Sequence, residues 1–296
     1  MENTSLDTTE NTDKEYITKQ FISLERIILS KNKTLLRYIP RPVMRWFKKL
    51  IHLDEINAII YKHRHKFGIP FATAVLEEEL NVTIEVVNPE NIPISGRFLV
   101  VSNHPLGGVD GMALISEIGK RRSDILFPVN DILCNLPGLK PIFIPINKYG
   151  NNSANHNTLD KAFASDACLL FFPAGTESRR FKGGEVKDLP WKHSFIKKTF
   201  EHHRDVIPVY IDAQNTNFFY RFAKWRKRLG IKFNIELVLL PDQMFKFRNK
   251  KIRLTFGKPI PWETFDDSKK PKEWTLLVRN NVYNLKNNPQ TEFHTL

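Results

Sequence analysis

Only two cysteines, Cys134 and Cys168, occur among the 296 residues, too few for a disulfide framework. Cys168 lies inside the apolar stretch ACLLFF, where cysteine serves as a small apolar residue, so a reducing compartment is expected. No apolar run approaches the roughly 18 to 20 residues that cross a bilayer. The opening MENTSLDTTENTDKEY is polar and acidic and lacks the charged-then-apolar pattern of a leader. These absences point to a protein that is cytosolic or attached to a membrane from its cytosolic side. His63, His65, His202 and His203 have no partner set at ligand spacing, so no metal is expected. There is no glycine-rich nucleotide loop, and no cofactor is expected. A helix-turn-helix, RNA-binding or finger signature is also missing, so no nucleic-acid partner is expected.

Acidic residues are in deficit. Against 45 Lys and Arg stand 32 Asp and Glu, a formal net charge of +13. Such a field suits an anionic membrane surface, an acidic protein or nucleic acid, and is also compatible with an ordinary basic surface. Phe is abundant, at 22 residues, so part of the apolar content has the option of facing lipid.

Hydropathy patterning divides the chain. Residues 1–15, rich in Thr, Asn and Glu, read as a disordered tail. A helical section follows over 16–80: a helix from Tyr16 to Leu29, RPVMRWFKKLIHL (41–53) opened by Pro42, LDEINAIIYKHRH (53–65) with Asp54 as N-cap, and PFATAVLEEEL (70–80). From 81 to 265 strands and helices alternate. Strands are expected at 82–87, 97–103, 124–129, 140–146, 168–175, 205–212, 233–240 and 251–257. Helices are expected at 111–121, 158–167 and 191–203. A closing helix over 271–286 belongs to a C-terminal section, 266–296. The alternation predicts an α/β fold with a mostly parallel layered sheet flanked by helices, preceded by the helical section.

In such sheets ligands lie outside the carboxyl ends of the strands. VVSNHPLGGVDGMALI (100–115) puts His104 at a strand end and Asp110 at the entry of the next helix. A turn of this length can return the carboxylate to the imidazole, leaving the other ring nitrogen as a general base. The competing reading makes Asp110 a helix cap and His104 an unrelated surface residue. LLFFPAGTESRR (169–180) is a second strand end, whose basic pair suits an anionic group or forms a solvated charge cluster with Glu177.

Together, SNHPLGGVDG, FFPAGTESRR about 70 residues later, and then VIPVYID resemble the lysophospholipid and glycerolipid acyltransferase superfamily across roughly 85–260. The order of three elements carries the resemblance. Five residues, not the commoner four, separate His104 from Asp110; Ala174 replaces the Glu of the Phe-Pro-Glu-Gly loop; and KPIFIPINKYG lacks the usual Asp-Arg ending, with Asn147 and Lys148 near that place. These departures resemble the bacterial branch, also called hemolysin-like, that makes ornithine or glycine lipids. The resemblance implies an acyltransferase domain at 81–265. It implies transfer of an acyl group from an acyl carrier protein or coenzyme A thioester, without a cofactor, to the hydroxyl of an N-(3-hydroxyacyl) amino acid. His104 would be the base and Asp110 its orienter. Lys148, Gly175, Thr176, Ser178, Arg179 and Arg180 would line the acceptor site. Backbone N–H groups of Gly107, Gly108 or Gly175 are the oxyanion candidates. A 1-acylglycerol-3-phosphate acyltransferase is the alternative on the same fold. A basic membrane- or nucleic-acid-binding protein without catalysis is the alternative of a different class.

FFYRFAKWRKRLGIKF (218–233) combines aromatic and basic residues. Phe218, Phe222 and Trp225 share one helical face, a composition suited to an interfacial helix or to packing on the sheet with snorkelling cations. Residues 41–53, with Trp46 and Phe47, offer a second contact of the same kind.

Overall fold

The structure is a computed structural model that describes residues 21–31, 38–130, 133–146, 153–231 and 234–295. The tail 1–15, the first residues of the expected helix at 16–29, and Asn147 and Lys148 lie outside the described residues.

The helical section comprises α1 (Leu24–Lys31), α2 (Arg41–Leu50), α3 (Leu53–Lys62) and α4 (Ile69–Ala74), the last running on into a π turn at Val75–Glu79. Pro42 stands in the first turn of α2, where its missing N–H has no helical partner to lose. Asp54 is not the cap of α3. His52 holds that position with φ +52°, and Asp54 lies in the first turn, where a carboxylate complements the helix dipole.

The α/β section runs β1 (Thr83–Val87), β2 (Phe98–Ser102), α5 (Gly108–Ile118), β3 (Ile125–Asn130), β4 (Phe143–Ile146), α6 (Ser153–Ala164), β5 (Cys168–Phe171), β6 (Arg179–Arg180), β7 (Val186–Lys187), α7 (Ser194–Glu201), β8 (Asp205–Asp212), α8 (Asn217–Arg228), α9 (Leu240–Phe245), β9 (Lys251–Phe256) and α10 (Pro271–Asn284). Seven strands form one sheet in the order β1-β9-β8-β2-β5-β3-β4, and β6 pairs with β7 alone. Every neighbouring pair in the large sheet is parallel except β8 with β9.

β2 shows why the core forms. All five of its residues are buried. Phe98 and Val100 join a cluster with Val109, Ala113 and Ile115 of α5. Leu99 and Val101 join the opposite cluster with Phe195 of α7 and Val278 and Val282 of α10. A continuous apolar run thus serves a strand covered on both faces.

The described part of the expected strand at 233–240, residues 234–240, is not a strand. Residues Ile235–Leu239 form a 3-10 turn that leads into α9. Glu236 in the middle is fully buried and pairs with Arg179 at 2.9 Å and Arg226 at 2.8 Å, so a charge pair rather than a ladder fixes this segment. Among the described residues no helix is long and apolar enough to cross a membrane.

Candidate active site

Parallel pairing of β2 with β5 and β8 brings three carboxyl ends to one edge of the sheet. Asn103 continues β2 by one rung: its side chain donates to Ile211 O at 2.9 Å and accepts from Ile211 N at 2.7 Å. His104 follows at once, and its ring stacks on Phe172 just beyond β5, with centroids 4.0 Å apart. Asn215, past β8, donates to Pro105 O at 3.0 Å and fixes the turn from the third side.

Asp110 lies in the first turn of α5 and is fully buried. Its Oδ2 accepts from Leu106 N at 2.7 Å and Gly107 N at 3.1 Å, and meets His104 Nδ1 at 3.1 Å. Gly107 makes this geometry possible, with φ +91° and Leu240 only 3.3 Å from where a Cβ would stand, a conformation that favours glycine. The cap and the imidazole partner are therefore one carboxylate oxygen. With Nδ1–H directed to Asp110, the lone pair of Nε2 is left on the open side of the ring.

Burial disfavours the imidazolium, but the hydrogen bond and charge of Asp110, with the charges of Glu177 and Asp188, outweigh it and raise the His104 pKa above its ordinary value. Glu177 Oε1 stands 3.8 Å from Nε2. Asp188 holds the loop from behind: Oδ1 accepts from His104 N at 3.2 Å and from Ser178 Oγ at 2.6 Å, and Oδ2 accepts from Trp191 Nε1 at 2.8 Å.

The remaining expected residues separate into groups. Ser178 is buried and turned inward, its hydroxyl on Asp188 and its N–H donating to His104 O at 2.8 Å; it builds the site rather than lining it. Arg179 is occupied by Glu236 and by the carbonyl of Glu177 at 2.8 Å. In these contacts it braces the Glu177 loop against Glu236. Arg180 keeps capacity: one Nη donates to Asn217 Oδ1 at 2.7 Å, the guanidinium lies over Tyr220, and the buried Nε has no acceptor among the described residues. Thr176 donates to Glu177 Oε2 at 3.1 Å.

Of the oxyanion candidates, Gly107 N–H is committed to Asp110 and Gly175 N–H donates to Phe172 O at 2.9 Å. Gly108, exposed in the first turn of α5, has an N–H that meets no acceptor among the described residues. Lys148 lies outside the described residues, so the structure does not join it to the others.

The aromatic positions are presented as amphipathicity suggests. Trp46, Phe218 and Trp225 are more than half exposed, and Phe222 stacks between the last two at 6.0 and 5.8 Å. Phe47 is half-buried. Leu50 of α2 and Phe222 of α8 pack on one cluster around Phe219 and Tyr220, so both helices flank the same side of the site.

Sequence reasoning missed Asp188 and Phe172, and read Glu177 only as a surface partner for arginine. Phe172 at least carried a signal, since it precedes the Pro-Ala-Gly turn. Asp188 is 84 residues from the backbone N–H that it holds and belongs to no motif.

A family model described as Acyltransferase matches residues 26–291. The lyso-glycine lipid O-acyltransferase of Phocaeicola vulgatus is 45% identical over 266 residues, 89% of this chain and 95% of that protein. The enzyme of the same name from Bacteroides thetaiotaomicron is 44% identical over 266 residues, 89% of this chain and 97% of its own. Among solved structures, the 1-acyl-sn-glycerophosphate acyltransferase of Thermotoga maritima aligns with a TM-score of 0.48 at 18% identity, over 95% of this chain and 97% of that one.

Proposed function

The chain belongs to the acyltransferase family, and from that premise we propose that it moves a fatty acyl group from a thioester to the 3-hydroxyl of an N-(3-hydroxyacyl)glycine. The observation that carries this reading is the His104–Asp110 pair at the sheet edge, together with the names of the two relatives.

In this reading His104 Nε2 takes the proton of the acceptor hydroxyl as its oxygen attacks the thioester carbon. Asp110 holds the tautomer and stabilises the imidazolium that forms. The new ester C–O bond forms as the C–S bond breaks, and His104 returns the proton to the departing thiolate, which leaves as a thiol. No acyl-enzyme is required, because the base serves the incoming hydroxyl directly. The N–H of Gly108, which meets no acceptor among the described residues, lies at the positive end of α5 and is the donor suited to the oxyanion. Arg180, whose Nε has no acceptor among the described residues, is suited to the carboxylate of the glycine headgroup.

The donor is an acyl carrier protein or coenzyme A thioester. The net charge of +13 favours encounter with an acidic carrier. The exposed aromatic faces of α2 and α8 are proposed to rest on an anionic membrane surface on the cytosolic side, beside the site that takes a lipid.

The test is incubation of the purified protein with acyl-carrier-protein and coenzyme A thioesters and three acceptors: hydroxyacyl-glycine, hydroxyacyl-ornithine and lysophosphatidate. Acylation of the glycine acceptor is expected. Turnover of lysophosphatidate alone would replace the proposal with the phospholipid alternative.

A further inference from the structure

Glu177 has no part in the transfer described above, yet it is buried, 7% exposed, beside the reacting nitrogen. Its Cγ lies 3.5 Å from where a Gly107 Cβ would stand, so the absence of a side chain at Gly107 gives it room. Oε2 accepts from Thr176. Oε1 accepts no hydrogen bond among the described residues and stands 3.8 Å from His104 Nε2, too far for a hydrogen bond between them. When His104 is ready to act as a base, Nδ1 carries the proton toward Asp110 and Nε2 is an acceptor. Two acceptors then face each other across the gap. An anionic oxygen at the mouth of the site that no protein group pairs gains most when a ligand supplies the donor, so the ligand that fits brings two donors, one for each.

We infer that Glu177 is a specificity-determining residue that accepts the amide N–H of an N-(3-hydroxyacyl) amino acid while the hydroxyl of the same molecule lies on His104 Nε2. Such an acceptor carries its O–H and N–H three carbons apart, a span that bridges neighbouring acceptors. A lysophosphatidate offers the hydroxyl without the N–H, and its phosphate would meet a like charge at Glu177. Ala174 stands where the resemblance expects a glutamate. Glu177 thus supplies a carboxylate at the same strand end but aims it at an amide.

The inference rests on the function proposed above, and one experiment separates the two. Acyl transfer is measured for N-(3-hydroxyacyl)glycine and for N-(3-hydroxyacyl)sarcosine, whose N-methyl group removes the donor. The wild-type protein is expected to favour glycine in kcat/KM by about tenfold to a hundredfold, the range of a hydrogen bond to a charged group. In Glu177→Ala that preference is expected to collapse toward one. Glu177→Gln keeps an amide oxygen and should retain part of it. The steric effect of the methyl group is common to all three proteins, so only the change in ratio is read. Equal use of both acceptors by the wild type, or an unchanged ratio in Glu177→Ala, would overturn the assignment while leaving the proposed reaction standing. Failure to acylate the glycine acceptor at all would overturn both.

Discussion

Asp110 Oδ2 gathers three donors: two backbone N–H groups at the start of α5 and one imidazole. The carboxylate is held whether or not His104 is charged, so the imidazole can change protonation state without the turn rearranging. His104 and Asp110 were legible because only five residues separate them and glycines are among those five. Glu177 and Asp188 were not, since their relation to His104 exists only once β5 pairs with β2. These neighbours set a pH dependence. Asp110, Glu177 and Asp188 all favour the imidazolium and raise the His104 pKa, so the neutral base is lost on acidification at a higher pH than the ordinary value of about 6.5. The acid limb of kcat/KM is expected to have its midpoint above that value. Asp110→Asn retains an oxygen for the two N–H groups but removes the charge. It should move the midpoint downward and lower kcat by about a thousandfold or more, with the thermal midpoint little changed. His104→Ala should abolish transfer while the protein stays folded. A pH profile unmoved by Asp110→Asn would count against the pair.

At the scale of elements, the strands around the site were readable as runs buried on both faces, and the helices as their alternating partners. Residues 233–240 misled because FNIELVLL has strand-like composition, while a strand also needs a ladder partner. That segment instead delivers Glu236 to two guanidinium groups. The anchor behind the sheet was equally hidden. Arg204 is fully buried and donates to the carbonyls of Ala162 at 3.0 Å, Phe163 at 2.7 Å, Ala167 at 2.7 Å and Phe98 at 3.3 Å, and to that of Ser165. A cation thus bonds the carbonyls at the end of α6, of which Ala162 O also accepts from Ser165, and ties them to β2 and the start of β5. Arg204→Ala would leave several buried carbonyls unpaired at once. A loss of about 3 kcal/mol or more is expected, since each costs roughly 1 to 3 kcal/mol. Urea unfolding followed by circular dichroism reads this directly. A midpoint equal to that of the wild type would show that solvent or repacking satisfies those carbonyls instead.

For the whole molecule, the excess of positive charge and the two amphipathic stretches were visible in the sequence, but their common location was not. Leu50 closes α2 on the cluster that carries Phe222 of α8, while Asn217 at the head of α8 holds Arg180 of the site. Exposed Arg41, Arg45 and Lys49 on α2 and Arg221, Lys224, Lys227 and Arg228 on α8 border the exposed aromatics, as an interfacial surface requires. The proposed membrane contact therefore adjoins the site that a lipid acceptor must reach. Attraction of the cations to anionic lipid is screened by salt, whereas burial of the aromatic rings is not. Replacing Phe218 and Trp225 with Ser should weaken binding to anionic vesicles by about a hundredfold or more, given roughly 1.5 to 3 kcal/mol for each large apolar side chain buried. Because both side chains are exposed in the folded protein, the thermal midpoint should change little. In vesicle flotation the wild type should lose part of its binding as salt rises, and the doubly substituted protein nearly all. Turnover of a micelle-dispersed acceptor should survive the substitutions, which separates loss of surface contact from damage to His104 and its neighbours. Vesicle binding that is undiminished in the doubly substituted protein would remove α8 from the membrane face and leave its aromatics without that role.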